Sequence, residues 1–514
     1  MRPFDLFGAV VVAAWVVWFV GASASTNLDG EVEHIALTDA ERSAGWRDGD
    51  EWQGIYLKEQ KVGYIHLEKW REPGAYFVKT EMVMHLTVMR TRQKIRTRMR
   101  ARLGPEMVLE SFELEITSGS ADMRMEGEVE GSSVALSITS GGGVQRQTVE
   151  LEEPPRLSAS LKPLLMKGDL KVGDSRSMSF FDPASMTQRS LKFTFKGRDT
   201  LLVMGQEVEA FHFTQTLGGI SFELWTNGIG EVLREDLPMG LMGIRESGVE
   251  ARYGVVSGAV SSNEDVVDAV SVLASGRSFS SDAPEAVFEL SGLNFDGLDL
   301  EGGRQRWAPS ADGTSGILTV EAKQTMGSTM GLTVAELDLP IDGVDEGLAA
   351  EIAAARAPEL MIQSDNEALG RAALRAVKTT PRMLPEHKVM GLARNLSQWV
   401  YSNVKKESVV GVPSALETLD TMRGDCNEHT TFTVALLRSV GVAARPVVGI
   451  AFLQDRGRFF YHAWVEVWDG RWVAIDPTFG QFPADIGHIR FVVGGLREQV
   501  EMFKVIGQLK IEHR

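Results

Sequence analysis

The chain has 514 residues, with 53 lysines and arginines against 70 aspartates and glutamates, a net charge of −17. An acidic balance of this size excludes a polyanion partner such as nucleic acid, and overall charge gives no attraction to anionic lipid. At 43% apolar residues the chain can fill real cores, and its length suits about two to four domains of roughly 100–200 residues each.

The first segment is an apolar run from Leu6 to Val20 behind Arg2, followed by the small-residue site Ala22-Ser23-Ala24. That order reads as a secretory signal over 1–25, either cleaved or kept as an N-terminal membrane anchor. It predicts an exported protein of the cell envelope, periplasmic or extracellular.

Residues 45–248 predict an antiparallel β-rich domain. Ile55 and Leu57, then Val62, Tyr64 and His66, alternate around the turn Lys58-Glu59-Gln60-Lys61. Met82 to Val88, Phe112 to Ile116, Val134 to Ile138 and the segments near 191–195, 207–213 and 222–225 continue the pattern. Period-two apolarity between polar breaks is the mark of strands with one solvated face. Arg90, Arg92, Lys94, Arg96, Arg98, Arg100 and Arg102 set seven cations on one such face. Glu113, Glu115, Glu126, Glu128 and Glu130 supply carboxylates for neighbouring strands, so a charge ladder is expected rather than an anion-binding strip. Methionines from Met82 to Met242 crowd the same half; they predict core, with a lipid or peptide ligand as a secondary reading. Residues 249–350 read as a smaller β-rich unit, with a short helix near 265–273 and strands near 286–290 and 317–322.

Helical signals dominate from about residue 360. Ser364 and Glu367 form a capping-box pattern ahead of an apolar helical stripe, a second helix is predicted over 387–404, and Ser414 opens a third. Next comes Arg423-Gly424-Asp425-Cys426-Asn427-Glu428-His429, where Asp425 and Glu428 suit a second capping box and Cys426 falls on the first helical turn. Cys426 is the chain's single cysteine, so it has no intramolecular disulfide partner. Helix-terminal amides favour a thiolate, which makes Cys426 a candidate nucleophile of low pKa.

Three strands are predicted to follow, over 447–452, 459–468 and 472–475, with His462 in the second and Asp476 ending the third. A two-residue Asp469-Gly470 turn would put His462 and Asp476 on opposite faces. A three-residue loop, Trp468-Asp469-Gly470 with Gly470 left-handed, puts them directly opposite one another on one face. Trp464 and Glu466 share that face and are read as support. His429 lies three residues after Cys426, but with one cysteine and nine scattered histidines a zinc site is not predicted, and no cofactor is.

Four linked motifs resemble the transglutaminase-like family over about residues 385–500. They are Gly-Asp-Cys-x-Glu at 424–428, Arg-x-x-Gly-Val-x-Ala-Arg at 438–445, His-Ala-Trp-x-Glu-Val at 462–467 and Trp-Val-x-x-Asp-Pro-Thr at 472–478. The resemblance implies an α+β protein whose C-terminal domain, over 360–514, has a papain-like fold behind the antiparallel β-rich part. It implies Cys426 as nucleophile, His462 as acid/base and Asp476 as the residue that orients it. The family's second oxyanion donor has no clear counterpart; Trp399 and Tyr401 are the candidates. The expected reaction is acyl transfer from a peptide or protein amide through a thioester, with hydrolysis ahead of glutamine transamidation. A non-catalytic envelope adaptor is the competing class.

Overall fold

The computed structural model describes residues 33–34 and 46–514, apart from 89–90, 119–120, 141–142, 158–164, 167, 184–185, 218–219, 238–239, 261–264, 323–330, 340–343, 408–413, 500 and 503–504. The N-terminal apolar run, Met89, Arg90 and Met239 lie outside the described residues. Among those described, no helix is long and apolar enough to cross a membrane. The chain divides into two units, one ending at Ala269 and one running from Val270 to Arg514. That division falls inside the stretch 249–350, whose first part clusters with the β-rich half and the rest with the C-terminal half.

The first unit is built on a 15-stranded sheet. Consecutive strands from Gly49–Leu57 to Gly143–Glu150 pair as antiparallel neighbours, and a second run, from Ser175–Asp182 to Leu241–Arg245, pairs back onto Gly49–Leu57. The sheet curls on itself, since Phe112 and Phe181, four strands of sequence apart in different runs, meet with ring centroids 5.9 Å apart. Alternation gives the sheet a buried face: Leu114, Ile116, Met123, Met125, Leu136 and Ile138 share one side of it and are all buried. Met82, Met84, Met99, Met107, Met178 and Met186 are buried in the unit as well, as core side chains.

The basic strand, Thr91–Leu103, runs between Ala75–Val88 and Leu109–Ser118. Arg98 lies opposite Glu81 on one side and Glu115 on the other. Arg96 and Arg98 both reach Glu81, Arg98 also reaches Glu115 at 3.6 Å, and Arg102 reaches Glu110 at 3.2 Å. Glu113, opposite Arg100 in register, is taken by Arg124 at 2.7 Å. An open concavity of ≈ 820 Å³ lies over this face, and Glu113, Glu126 and Glu128 line it together with Arg100, Arg102 and Arg146. The charges form a ladder of half-exposed pairs, each worth about 0.2–1 kcal/mol.

Among the described residues the second unit holds three sheets, one of them only the short parallel pair Lys405–Lys406 and Arg423–Gly424. In the five-stranded one, the last strand of the chain, Lys510–His513, lies between Ala274–Gly276, to which it is parallel, and Glu285–Ser291, to which it is antiparallel. In the four-stranded one the order is Trp472–Ile475, Arg458–Trp468, Ala444–Leu453, His488–Val493. Helices Glu367–Ala376, Val389–Asn403 and Cys426–Ser439 pack on one face of this sheet, where Leu369, Leu396, Val400, Phe432, Leu436 and Leu437 meet Val465, Val467, Val473 and Ile475. The opposite parity, with Trp464 and Ala474, belongs to a separate small cluster. One capping signal was misassigned by pattern. Asn366, not Ser364, caps Glu367–Ala376, its side chain accepting from the Ala368 amide, while Ser364 is buried. Asparagine next to the first helical residue has the shorter reach to that amide.

Candidate active site

Asp425 is the N-cap of the Cys426–Ser439 helix, and its side chain and that of Glu428 close the predicted capping box. Gly424 is required there, because a Cβ at that position would collide with the Glu428 side chain. Cys426 therefore occupies the first helical turn, wholly buried. The Ala463 amide donates to its thiol, which holds the sulfur against the Arg458–Trp468 strand, one residue from His462.

His462 and Asp476 meet: His462 Nε2 donates to Asp476 Oδ2 at 2.7 Å, with both side chains fully buried. The route differs from the one predicted. Trp468 pairs with Trp472 and Val465 with Ile475, so the connecting loop is Asp469-Gly470-Arg471, with Gly470 at φ 75°. Trp468 stays in its strand because its ring packs on Trp472 at 5.4 Å, and Arg445 covers the Trp472 ring at 3.9 Å. This register extends to face Asp476 toward Trp464, leaving His462 as its diagonal neighbour on the same face. Asp476 has left the strand by then. It pairs with Gln481 through bonds of 2.9 and 3.0 Å, and its Oδ1 accepts the Thr478 and Phe479 amides at 2.6 and 2.9 Å.

The remaining motif residues hold the scaffold. Arg438 ties the end of the cysteine helix to the Ala444 and Ala357 carbonyls and to Glu359, at 2.8, 2.6 and 2.6 Å. Glu466 accepts from Arg445 at 2.6 Å and from Arg490 at 2.9 Å, a buried network behind the site. Trp399 stands in the helix interface, 6.2 Å from Phe432. The Tyr401 ring packs over Gly480 in the Asp476–Gln481 loop and under Lys406 Nζ at 3.6 Å. His429 is buried and bonds through Nδ1 to the Asp425 carbonyl at 2.7 Å.

The electrostatics overturn the expected acidic thiol. Burial pushes the Cys426 thiol up, and Asp425 adds to this; the Ala463 amide only partly opposes them. Removal of the thiol from water is the main reason, and the capping box that positions Cys426 adds to it by setting two buried carboxyl groups at the helix start, where an anionic sulfur would otherwise be favoured. Burial lowers His462, against the pull of Asp476. Asp476 is held far below the ordinary carboxylate range: burial alone would raise it, but His462 and then His488 more than reverse that. Phe479, half-buried, stacks on the His462 ring at 4.4 Å.

His488 was missed by sequence reasoning, although Ile486-Gly487-His488-Ile489-Arg490-Phe491 alternates as a strand should. Its Nε2 reaches Asp476 Oδ2 at 3.0 Å. Among the described residues, His462, Asp476 and His488 are the grouping whose ligand atoms, within 4.8 Å of one another, could surround a metal ion. Their nitrogen-to-oxygen separations of 2.7 and 3.0 Å are hydrogen-bond lengths. Ligands around tetrahedral zinc stand about 3.3 Å apart, so the three side chains fit a proton-sharing chain better than a metal centre.

Residues 378–477 match the transglutaminase-like superfamily, and the C-terminal unit thus carries a transglutaminase-like domain. Among solved structures, a protein from Cytophaga hutchinsonii provisionally named a cysteine protease is 16% identical, covering 47% of this chain and 82% of that one, with a TM-score of 0.27. A β-barrel-like protein from Brucella abortus, of a domain family of unknown function, is 9% identical over 38% of this chain and 95% of that one, with a TM-score of 0.30. Neither overlap is tight enough to carry an argument. No curated protein matches the chain.

Proposed function

We propose that the protein is a cysteine-nucleophile acyl-transfer enzyme that hydrolyses amide bonds of peptides or proteins. The observation that carries this reading is the buried 2.7 Å bond from His462 to Asp476 on the strand against which the chain's single thiol is held. Asp476 fixes His462 with its Nε2 proton toward the carboxylate, so Nδ1 is the basic nitrogen. The Cys426 proton passes to Nδ1 as sulfur bonds to the substrate carbonyl carbon and the carbonyl electrons move onto oxygen. Collapse breaks the C–N bond, and Nδ1–H protonates the departing amine, leaving a thioester. Water then gives a proton to Nδ1 while its oxygen attacks; the C–S bond breaks and the thiol regains its proton. A buried thiol disfavours the free thiolate, which makes His462 a base in the attack itself rather than a partner in a standing ion pair.

Water is favoured over an amine because transamidation needs a site that shields the thioester and still admits a lysine. The apolar segment over 6–20 supports export. One experiment separates the outcomes: incubation with glutamine-containing peptides, with and without a primary amine, read by mass. Cleavage or deamidation with both supports the hydrolase; amine incorporation makes it a transglutaminase; no change, with Cys426→Ala indistinguishable from the parent, sinks the enzyme reading in favour of an adaptor.

A further inference from the structure

The strand His488–Val493 lies on the far side of Ala444–Leu453 from the His462 strand, yet its first residue turns into the site. His488 is buried to 1% exposure and has a carboxylate at each ring nitrogen. Nε2 is 3.0 Å from Asp476 Oδ2 and Nδ1 is 2.9 Å from Asp485 Oδ1. Both carboxyl groups are already receiving donors. Asp476 takes His462 and two backbone amides, while Asp485 takes the Gly487 amide at 2.9 Å and Gln481 Nε2 at 2.8 Å. A neutral imidazole has one N–H and would set its bare lone pair against one of these oxygens at a buried position.

We propose that His488 is a positioning residue of the catalytic chain: a buried imidazolium clamped between Asp476 and Asp485 that orients Asp476 and keeps His462 neutral in the resting enzyme. The proposal rests on the Cys426–His462–Asp476 reading above and extends it by two residues toward the surface, where the Asp485 side chain is 25% exposed. The other charges facing this chain are compatible with it. Buried Arg304 donates to the His488 and Ala484 carbonyls at 3.0 and 2.6 Å and acts on Asp485 and Glu466, and Lys406 acts on Asp476. Trp464, at 5.2 Å, and Phe479, at 5.8 Å, flank the ring with apolar surface, and the His462 ring is 5.6 Å away. Asp425 and Glu428 face the thiol from the cysteine helix.

The consequence follows from charge counting. Asp476 has one negative charge and two imidazoles. Since His488 already supplies the compensating positive charge, His462 gains less by protonation than it would beside an undivided carboxylate. Burial and the two carboxylates act on His488 in opposite senses, and the carboxylates prevail, raising its pKa, whereas His488 itself helps to lower that of His462. The resting pair is then neutral imidazole and thiol, the protonation state from which His462 Nδ1 can accept the thiol proton.

The test uses His488→Gln, which retains an amide donor for Asp476 and removes the charge. Iodoacetamide alkylation of the native protein, followed against pH, should become about tenfold faster near pH 6, because an upward shift of His462 by about one unit raises the ion-pair fraction by that factor. Peptide turnover should fall by about tenfold or more as Asp476 loses a fixed partner. A purely structural role would lower both rates without moving the pH profile, and a profile superimposable on the parent's would overturn the proposal. Asp485→Asn, at a partly exposed position, is the second variant if His488→Gln does not fold; it removes one of the two carboxylates that hold His488 charged and should leave His488 with a single ring proton at pH 8. Nitrogen-15 NMR of histidine-labelled parent protein gives a readout that needs no substrate. His488 protonated on both nitrogens at pH 8 is the expected result, and a single proton there overturns the assignment. Full activity in Cys426→Ala would instead sink the underlying triad while leaving the NMR result standing.

Discussion

At Cys426 two effects of a helix start compete. Orphan amides favour a thiolate, whereas burial of the sulfur, and after it the carboxyl groups of Asp425 and Glu428, disfavour it, and the second set prevails. Alkylation of the native protein is therefore expected to be slow at pH 6 and to rise steeply only on the alkaline side, as a pH series with iodoacetamide would reveal. Cys426→Ala should abolish acyl transfer while changing the unfolding midpoint little, since a small side chain is lost. Asp476→Asn should retain the fold but lower kcat by roughly 10³–10⁴, because an amide can stabilise the wrong tautomer of His462. His429 gives a separate pH signature. Burial lowers its pKa from 6.5 to about 4, so the folded state keeps it neutral while the unfolded chain protonates. A depressed histidine costs stability as pH falls through that window, by about 2 kcal/mol at pH 5. Urea denaturation at pH 7 and pH 5 should show this loss, and His429→Asn should flatten it.

The elements place these side chains through two close approaches. Gly449, in Ala444–Leu453, pairs with His462 on one side and, after a register shift, with Arg490 on the other. A Cβ there would run into the Ile489 carbonyl and come within 2.9 Å of the Trp464 ring. Gly449→Ala should thus separate the His462 and His488 strands, costing about 1–3 kcal/mol and lowering activity more than stability alone explains; both are read by thermal melts beside peptide turnover. The capping box is the other device. Asp425→Ala should cost about 0.5–2 kcal/mol by removing the N-cap acceptor. It should also lower the Cys426 pKa by removing a carboxyl group from beside the sulfur, so alkylation should speed up while the melting temperature falls.

On the scale of the whole molecule, the last strand, Lys510–His513, is interior to the five-stranded sheet, with Ile511 buried and paired to Ala274 and Leu290. Truncation after residue 508 should leave the edges of two strands unpaired and the buried Phe288 and Leu290 uncovered. Loss of soluble protein or a markedly lower melting temperature is the expected result, and an unchanged melt would show that the C-terminal strand is dispensable. In the β-rich unit, by contrast, the charge ladder is made of half-exposed pairs, so Arg98→Ala should change stability by less than about 1 kcal/mol.

Local chemistry was legible in the sequence. Most strands of the β-rich half, though not Gly143–Glu150 or Ser175–Asp182, the capping box at Asp425 and the order of Cys426, His462 and Asp476 all depend on periodicity or on groups within four residues of one another, which a linear pattern records. The common face of His462 and Asp476 was legible too, through Gly470 and an odd-length loop. The register itself was not, because the packing of Trp468 on Trp472 and of Arg445 over both strands decided it. Tertiary structure alone brought His488 and Asp485 to Asp476, joined Lys510–His513 to a strand more than 200 residues earlier, and raised the Cys426 pKa by burying the thiol and the carboxyl groups beside it. The physical reason is the range of each interaction. Caps and turns are settled by neighbours along the chain, while desolvation and charge compensation depend on whatever the fold brings within a few ångströms, and that is unspecified until distant strands have paired.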